Sequence, residues 1–384
     1  MRSGFVLFVF YAAVAAGQSK PASPAHLNPE AIFDRAMEEQ QSGNYPAAIR
    51  DYEAVLKMLP GKLEARADLA VSLAHEGHYD EAIAQYRKVL VAAPNDPGLL
   101  TDLGLAYYKT GDCKDAVSEF ELVAKIQQSD IKTTMLLGDC QVRLGQAAAA
   151  SAMLLPLEPA NAANPDFEFV LGTAMIQSGH QLDGVDRLES VGASAHNPVA
   201  YMLAGSTLIN LNRSARALTD LQAALQMNAK LAGIHTLLGM ANDMNGDSAA
   251  AEPELREALK QNPEDFNANL YLGSILYKRR DMAEAKPYLD RALKANSSSP
   301  TAKYEMAMWK STSGDYAGAA KDLEDLEKAD PVWLEPHTEL AVVYYRLHRQ
   351  ADGMKEREIV AKIKAQQQQV GPGGEPTPSE GPQP

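Results

Sequence analysis

Few residues in this sequence have the type and spacing to do chemistry. His75 and His78 stand three apart with Glu76 between them. Two imidazoles and a carboxylate are zinc-ligand chemistry when they share one helix face. Gly77 interrupts the run, so the two rings straddle a turn and read as surface histidines. His26, His180, His196, His235, His337 and His348 are scattered singly. The sequence has no Gly-x-Ser-x-Gly elbow, no Gly-rich phosphate loop ending in Lys, and no His-Glu-x-x-His. Carboxylates are abundant, but they fall in turns such as Tyr79-Asp80-Glu81 and on faces expected to be solvated. No catalytic residue, cofactor or metal site is therefore expected. The two cysteines, Cys113 and Cys140, are too few for a disulfide framework or a four-cysteine zinc site.

The elements that carry these side chains are expected to be helices. Of 384 residues, 46% are hydrophobic and 22% charged, a globular balance, while only 7% are aromatic. A chain poor in aromatic residues and rich in Ala and Leu favours helix over strand. The formal net charge of −14 opposes nucleic acid as a main partner, because phosphate binding needs a basic face.

A period of 34 residues organises the chain. Gly43, Gly77 and Gly111 are 34 apart, and Ala48, Ala82 and Ala116 keep the same step, as do Tyr52, Tyr86 and Phe120, and Pro60 and Pro94. Gly104, Gly138 and Gly172 mark a second series; Gly205 comes one residue early, and Gly239, Gly273, Ala307 and Ala341 resume it. Ten units tile residues 29–367, beginning at 29, 63, 97, 131, 165, 198, 232, 266, 300 and 334. Each reads as a hairpin of two helices, A and B. In the second unit, Leu69, Ala70 and Leu73 fall at helical spacing and Gly77 ends helix A at a position suited to φ > 0. Asp80 is placed to cap helix B, and Pro94 stops it. Small residues at Ala70 and Ala82 let the two axes cross closely. One hairpin cannot bury its apolar face alone, so neighbours must stack.

The chain resembles the tetratricopeptide repeat (TPR) family. The signature stands as Leu103-Gly104-x-x-Tyr107…Gly111…Ala116…Phe120 and as Gly77-His-Tyr79-Asp-Glu-Ala82-Ile83…Tyr86…Pro94. It is strong in units one to three and seven to nine. Units four to six are degenerate, with Leu154, Leu188 and Leu221 replacing the aromatic, and Gly353 and Arg357 mark unit ten as a polar cap. Pro156, Pro253 and Pro287 fall in helix B of units four, seven and eight, where local kinks are expected rather than a break in the array.

The resemblance implies an all-α, right-handed superhelical α-solenoid of about ten hairpins, with the A helices lining a concave groove through positions 2, 5, 9, 12 and 13 of each unit. Those positions include Phe33, Met37, Tyr108, Met135, Phe169, Met240, Tyr277, Tyr304 and Tyr345. Such an apolar stripe suits an extended apolar peptide or a partner helix. The alternative is that part of it is core, since the frame can slip by a residue in the middle units. Val71, His75, Leu105, Lys109, Asp243, Leu270, Ser274 and Lys278 fall at the same positions. The Lys and Asn pattern by which some TPR domains clamp a terminal carboxylate is absent. Cys113 opens helix B of unit three and Cys140 lies late in helix A of unit four, neighbouring and roughly antiparallel helices in a stacked solenoid. In an oxidising compartment they form either a disulfide or two separate buried thiols.

The ends bear on location. Met1-Arg2, the apolar run Phe5–Ala16 and Gly17-Gln18-Ser19-Lys20 have the three parts of an export signal, with cleavage expected after Ala16 or Gly17. The run is shorter than the ~20 residues that span a bilayer, so no integral membrane segment is expected in the mature chain; a retained N-terminal anchor is the alternative. Residues 18–28 read as a flexible lead and 368–384 as a disordered Pro- and Gly-rich tail. Two function classes follow. One is a non-enzymatic exported scaffold, periplasmic or secreted, that binds a protein or peptide in envelope assembly or secretion. The other is an accessory subunit of an extracytoplasmic enzyme complex that holds a glycan or substrate chain, with Trp309 and Trp333 its only tryptophans. The sequence carries no signal for oligomeric state.

Overall fold

The computed structural model describes residues 28–127 and 130–369. The expected export signal, all but the last residue of the expected lead, and the tail beyond residue 369 lie outside them. Among the described residues all regular structure is helical. Helix A of the ten units runs Pro29–Gln41 (α1), Leu63–His75 (α3), Pro97–Thr110 (α5), Ile131–Arg143 (α7), Pro165–Gln177 (α10), Pro198–Asn210 (α12), Ile234–Met244 (α14), Phe266–Lys278 (α16), Pro300–Ser313 (α18) and Leu334–Arg346 (α20). Helix B runs Tyr45–Met58 (α2), Tyr79–Leu90 (α4), Cys113–Ile126 (α6), Ala147–Leu154 (α8), Gln181–Ala195 (α11), Ser214–Met227 (α13), Ser248–Gln261 (α15), Met282–Ala295 (α17), Tyr316–Ala329 (α19) and Gln350–Gln369 (α21). A short helix, Glu158–Asn161 (α9), lies between α8 and α10.

Every A helix but α14 starts at the residue that the 34-residue step places first. Local chemistry explains the starts. The side chains of Asn28, Asp96, Asn164, Asn197 and Ser299 accept backbone N–H groups at the openings of α1, α5, α10, α12 and α18. Proline follows each of them, at a position whose N–H has no helical partner to lose. The expected cap at Asp80 is not formed: α4 starts one residue earlier, at Tyr79, and leaves Asp80 in the first turn, near the positive end of the helix.

The turn between A and B is common to all ten units, because the fifteenth residue is left-handed throughout. Gly43, Gly77, Gly111, Gly145, Gly179, Gly246 and Gly314 hold it with φ of 75–99°, and Asn212, Arg280 and His348 with φ of 56°, 76° and 58°. Glycine enters this region without a Cβ penalty; the other three bear one. The turn thus persists in units four to six, where the signature is degenerate. The prolines behave differently from one another. Pro253 and Pro287 lie inside α15 and α17 without ending them. Pro156 does break its helix: α8 stops at Leu154, and a 3-10 turn over Leu155–Leu157 leads into α9. It has no N–H to return to the preceding turn.

Packing follows chain order. Contacts divide the chain into two bodies, and the division falls within α7, between Cys140 and Gln141. In the N-terminal body, α1 to α6 each pack on the next, and α3 also touches α1 and α5. In the C-terminal body the same succession runs from α10 to α21, and α12, α14, α16 and α18 form a row of touching A helices. Its core lies within and between successive hairpins, around Leu208 and Leu221, Leu272 and Leu289, and Leu323 and Leu340. Within hairpins, Gly104, Gly205, Gly239 and Gly273 face Phe120, Leu221, Leu255 and Leu289, so closely that an added Cβ would lie 2.5–2.7 Å from the opposing side chain. The large residue on B fills the space that glycine leaves on A.

Candidate functional site

Groove positions of the A helices line one cleft in each body. In the N-terminal body, α3, α4 and α5 enclose about 270 Å³ lined by Val71, His75, Tyr79, Asp102, Leu105 and Lys109, among others. Val71, His75, Leu105 and Lys109 are groove positions anticipated from the sequence. His75 lies flat on Tyr45, with ring centroids 4.3 Å apart and 4° between planes. That stack pins the end of α3 to the start of α2. Burial pushes the Asp102 carboxyl above its ordinary range, and His75 partly opposes the shift.

In the C-terminal body, α14, α16 and α18 enclose about 130 Å³ lined by Asp243, Leu270, Tyr271, Ser274, Lys278, Thr301 and Glu305. Asp243, Leu270, Ser274 and Lys278 are again anticipated positions. Ser248 Oγ donates to Asp243 Oδ1 at 2.7 Å, and Tyr277 Oη donates to Glu305 Oε2 at 2.7 Å. Burial, reinforced by Glu305, drives the Tyr277 hydroxyl far above the usual tyrosine range, so it stays a donor. Each cleft therefore combines one exposed lysine, one or more carboxylates and an apolar floor. That is recognition chemistry, able to take up backbone amides and mixed side chains.

The nine residues of the expected apolar stripe do not line either cleft. Met240 and Tyr277 are core, 5% and 4% exposed. The A helices α14, α16 and α18 touch one another directly, and that contact covers both side chains. The other seven are half-buried. Phe33 packs on Tyr52 at 5.8 Å between centroids, with the Lys62 ammonium 4.3 Å over its ring. Phe169 sits at the margin of the core around Leu208. Tyr304 leans on Trp333 at 5.4 Å, and Tyr345 lies beneath the Arg357 guanidinium at 4.6 Å. Met37, Tyr108 and Met135 occupy α1, α5 and α7. Other groove positions shape the clefts, polar ones at His75, Lys109, Asp243, Ser274 and Lys278 and apolar ones at Val71, Leu105 and Leu270. Cys113 and Cys140 are both buried.

A larger cleft of about 750 Å³ was not anticipated. It is lined by Ser151, Glu158, Glu168, Met175, His180 and Arg187, among others. Arg187 pairs with Glu158 and, at 2.8 Å, with Glu168, while its Nε reaches Met175 Sδ at 3.2 Å. The helix break at Pro156 was its one sequence signal: α8 ends early and its continuation turns aside.

A polar latch also recurs inside four of the hairpins, joining the fourth residue of the unit, on helix A, to a residue 19 further on in helix B. Arg66 donates to Gln85 at 2.8 Å, Arg187 to Glu168 at 2.8 Å, and His235 and His337 meet Glu254 and Glu356 at 2.6 and 2.7 Å. The same fourth position ties down the preceding loop through the carbonyl of a proline six residues back. Arg66 reaches Pro60, Asn269 reaches Pro263 and His337 reaches Pro331, at 2.7, 2.9 and 3.0 Å.

Three tetratricopeptide repeat models match the sequence, one over residues 33–97 and again over 236–300, a second over 73–133 and a third over 198–231. Together they span just over half of the chain, and the third falls on unit six, whose signature reads as degenerate. No curated protein matches. Among solved structures, the chain is similar to the APC/C hetero-tetramer Cut9–Hcn1 with a TM-score of 0.52 and 13% identity, over 89% of this chain and 76% of that one. It is also similar to YrrB, described as a TPR protein with an unusual peptide-binding site (TM-score 0.42, 17% identity, 51% of this chain and 97% of that one). A third likeness is to yeast Tom70 (TM-score 0.36, 12% identity, 88% and 96%). At such identities the first likeness concerns the fold alone.

Proposed function

The chain belongs to the tetratricopeptide repeat family, and from that premise we propose that it is a non-enzymatic scaffold that binds a protein or peptide on the A-helix side of its hairpins. The observation that carries this reading is the pair of clefts at groove positions. Lys109 and Lys278 both take the thirteenth position of their unit and are exposed. Asp102 accompanies the first, Asp243 and Glu305 the second. A segment suited to both offers an acidic group to the lysine, N–H donors to the carboxylates and a small apolar side chain to the floor. The pattern over Met1–Lys20 supports export, to the periplasm or beyond the cell, and with it a role in envelope assembly or secretion.

The glycan-holding alternative draws less support from the two tryptophans. Trp333 is buried, and Trp309 is half-buried with its indole N–H donated to the Met282 carbonyl at 2.9 Å.

Photo-activatable side chains placed at Lys109, Lys278 and the exposed helix B residue Lys88 test the reading in the native envelope or secreted fraction. Adducts to a common protein from Lys109 and Lys278, with none from Lys88, are expected. Adducts from Lys88 alone would overturn it.

A further inference from the structure

The last two hairpins bring together three groups that no local motif announces. Glu327 near the end of α19, His337 in α20 and Glu356 in α21 place one imidazole nitrogen and two carboxylate oxygens within 4.8 Å of one another. His337 is 1% exposed and Glu356 7%, while Glu327 is partly open to solvent. His337 Nδ1 lies 2.7 Å from Glu356 Oε2, and its Nε2 lies 3.0 Å from the Pro331 carbonyl oxygen.

The second of these contacts fixes the tautomer. A carbonyl oxygen only accepts, so Nε2 carries the hydrogen. The equivalent bonds in units two and eight come from Arg66 and Asn269, each through an N–H donor. Nδ1 is then left with its lone pair directed at a carboxylate, and a cation must lie between them. A proton answers that need for one carboxylate but leaves a net negative charge when Glu327 is ionised as well. Lys328, beside Glu327 in sequence, is paired with Asp325. A neutral imidazole with two carboxylates balances a divalent cation.

We propose that Glu327, His337 and Glu356 form a mononuclear site for a divalent transition-metal ion of the zinc class, with His337 ligating through Nδ1. One imidazole nitrogen and two carboxylate oxygens are ligands zinc takes at about 2.0–2.2 Å. The Nε2–H to carbonyl bond is the outer contact that orients metal-bound imidazoles and raises their basicity. Entry of the ion moves the Glu356 carboxylate back from hydrogen-bonding to ligand spacing, a side-chain adjustment. Water completes the coordination on the side of Glu327, where solvent reaches the cluster. The bound ion ties α19 to α20 and α21, so it stabilises the C-terminal end of the array.

Titration of the full-length protein with zinc chloride, after chelator treatment and dialysis, tests the site by calorimetry, elemental analysis and thermal melting. One zinc ion per chain and a saturable rise in Tm are expected. Glu327→Gln leaves the latch between His337 and Glu356 in place, and His337→Asn keeps a donor for Pro331 as Asn269 does for Pro263. Each is expected to weaken zinc binding by about tenfold or more. Absence of stoichiometric zinc in the unaltered protein overturns the proposal. Unchanged affinity in either folded variant also overturns it, by placing the ion elsewhere, as at His75 and His78. Should His337→Asn fail to fold, Glu327→Gln decides alone.

Discussion

Gly104 has the Phe120 ring so close that a methyl group at its Cα would sit 2.6 Å from a ring carbon. Gly104→Ala is therefore expected to cost about 1–3 kcal/mol through overpacking, read as a lower urea midpoint. Asp220 on α13 makes a second case at this scale. It is 4% exposed, and its Oδ2 has no hydrogen-bond partner among the described residues. Burial first, then Glu189, pushes its carboxyl up to about 7, while Arg216 is engaged by Glu189 and Asp186. The unfolded value is about 3.9, so the folded chain holds a proton that the unfolded chain releases. The stability from this group is fully present below pH 4 and is lost as pH rises through 7. Asp220→Asn should thus gain on the unaltered protein between pH 5 and pH 8, and a gap that stays constant across denaturation midpoints would refute the assignment. The cysteines give a simpler reading: denatured, unreduced protein should titrate two thiols, and none would restore the cross-link.

At the scale of the element, the left-handed turn is the recurring device. Arg280 holds it at φ 76°, where most units use glycine. Arg280→Gly relieves about 1–2 kcal/mol of left-handed strain, offset by about 0.5–1 kcal/mol for the freedom glycine adds to the unfolded chain. A small rise in Tm is expected, and Gly77→Ala should lower it. Such turns and the helix starts were legible in the sequence because their causes are local: a glycine, a capping side chain, a proline behind it, all at one step. Tyr277 and Met240 were not assigned to core because their burial depends on how closely neighbouring A helices approach. Pro156 marks where a helix stops, but not the space that opens beside it. The Glu327, His337 and Glu356 cluster draws its members from three helices, so no spacing along the chain displays it.

Within each body, hairpins lean on their neighbours in chain order, and the last must supply its own cover. The helix α21 does this: Gly353 abuts Tyr345, and Arg357 lies over the same ring. A chain ended after Arg349 should expose the apolar side of α20 and self-associate, as light scattering would show; a monodisperse, folded product would contradict that. If the chain is exported as proposed, mass spectrometry of the mature protein should find its first residue at Gly17 or Gln18. The nineteen-residue latch bears on how such a chain reaches its fold. Ten similar hairpins invite a helix A to close on the wrong helix B as synthesis proceeds. Glu168 closing on Glu254 would set two carboxylates together, and Arg66 on Arg187 two guanidinium groups, whereas each finds a complementary group in its own hairpin. The two His–Glu latches are alike, but they stand three units apart. Variation among these pairs therefore works as a proofreading of register, penalising swapped hairpins by charge where their apolar faces would accept them.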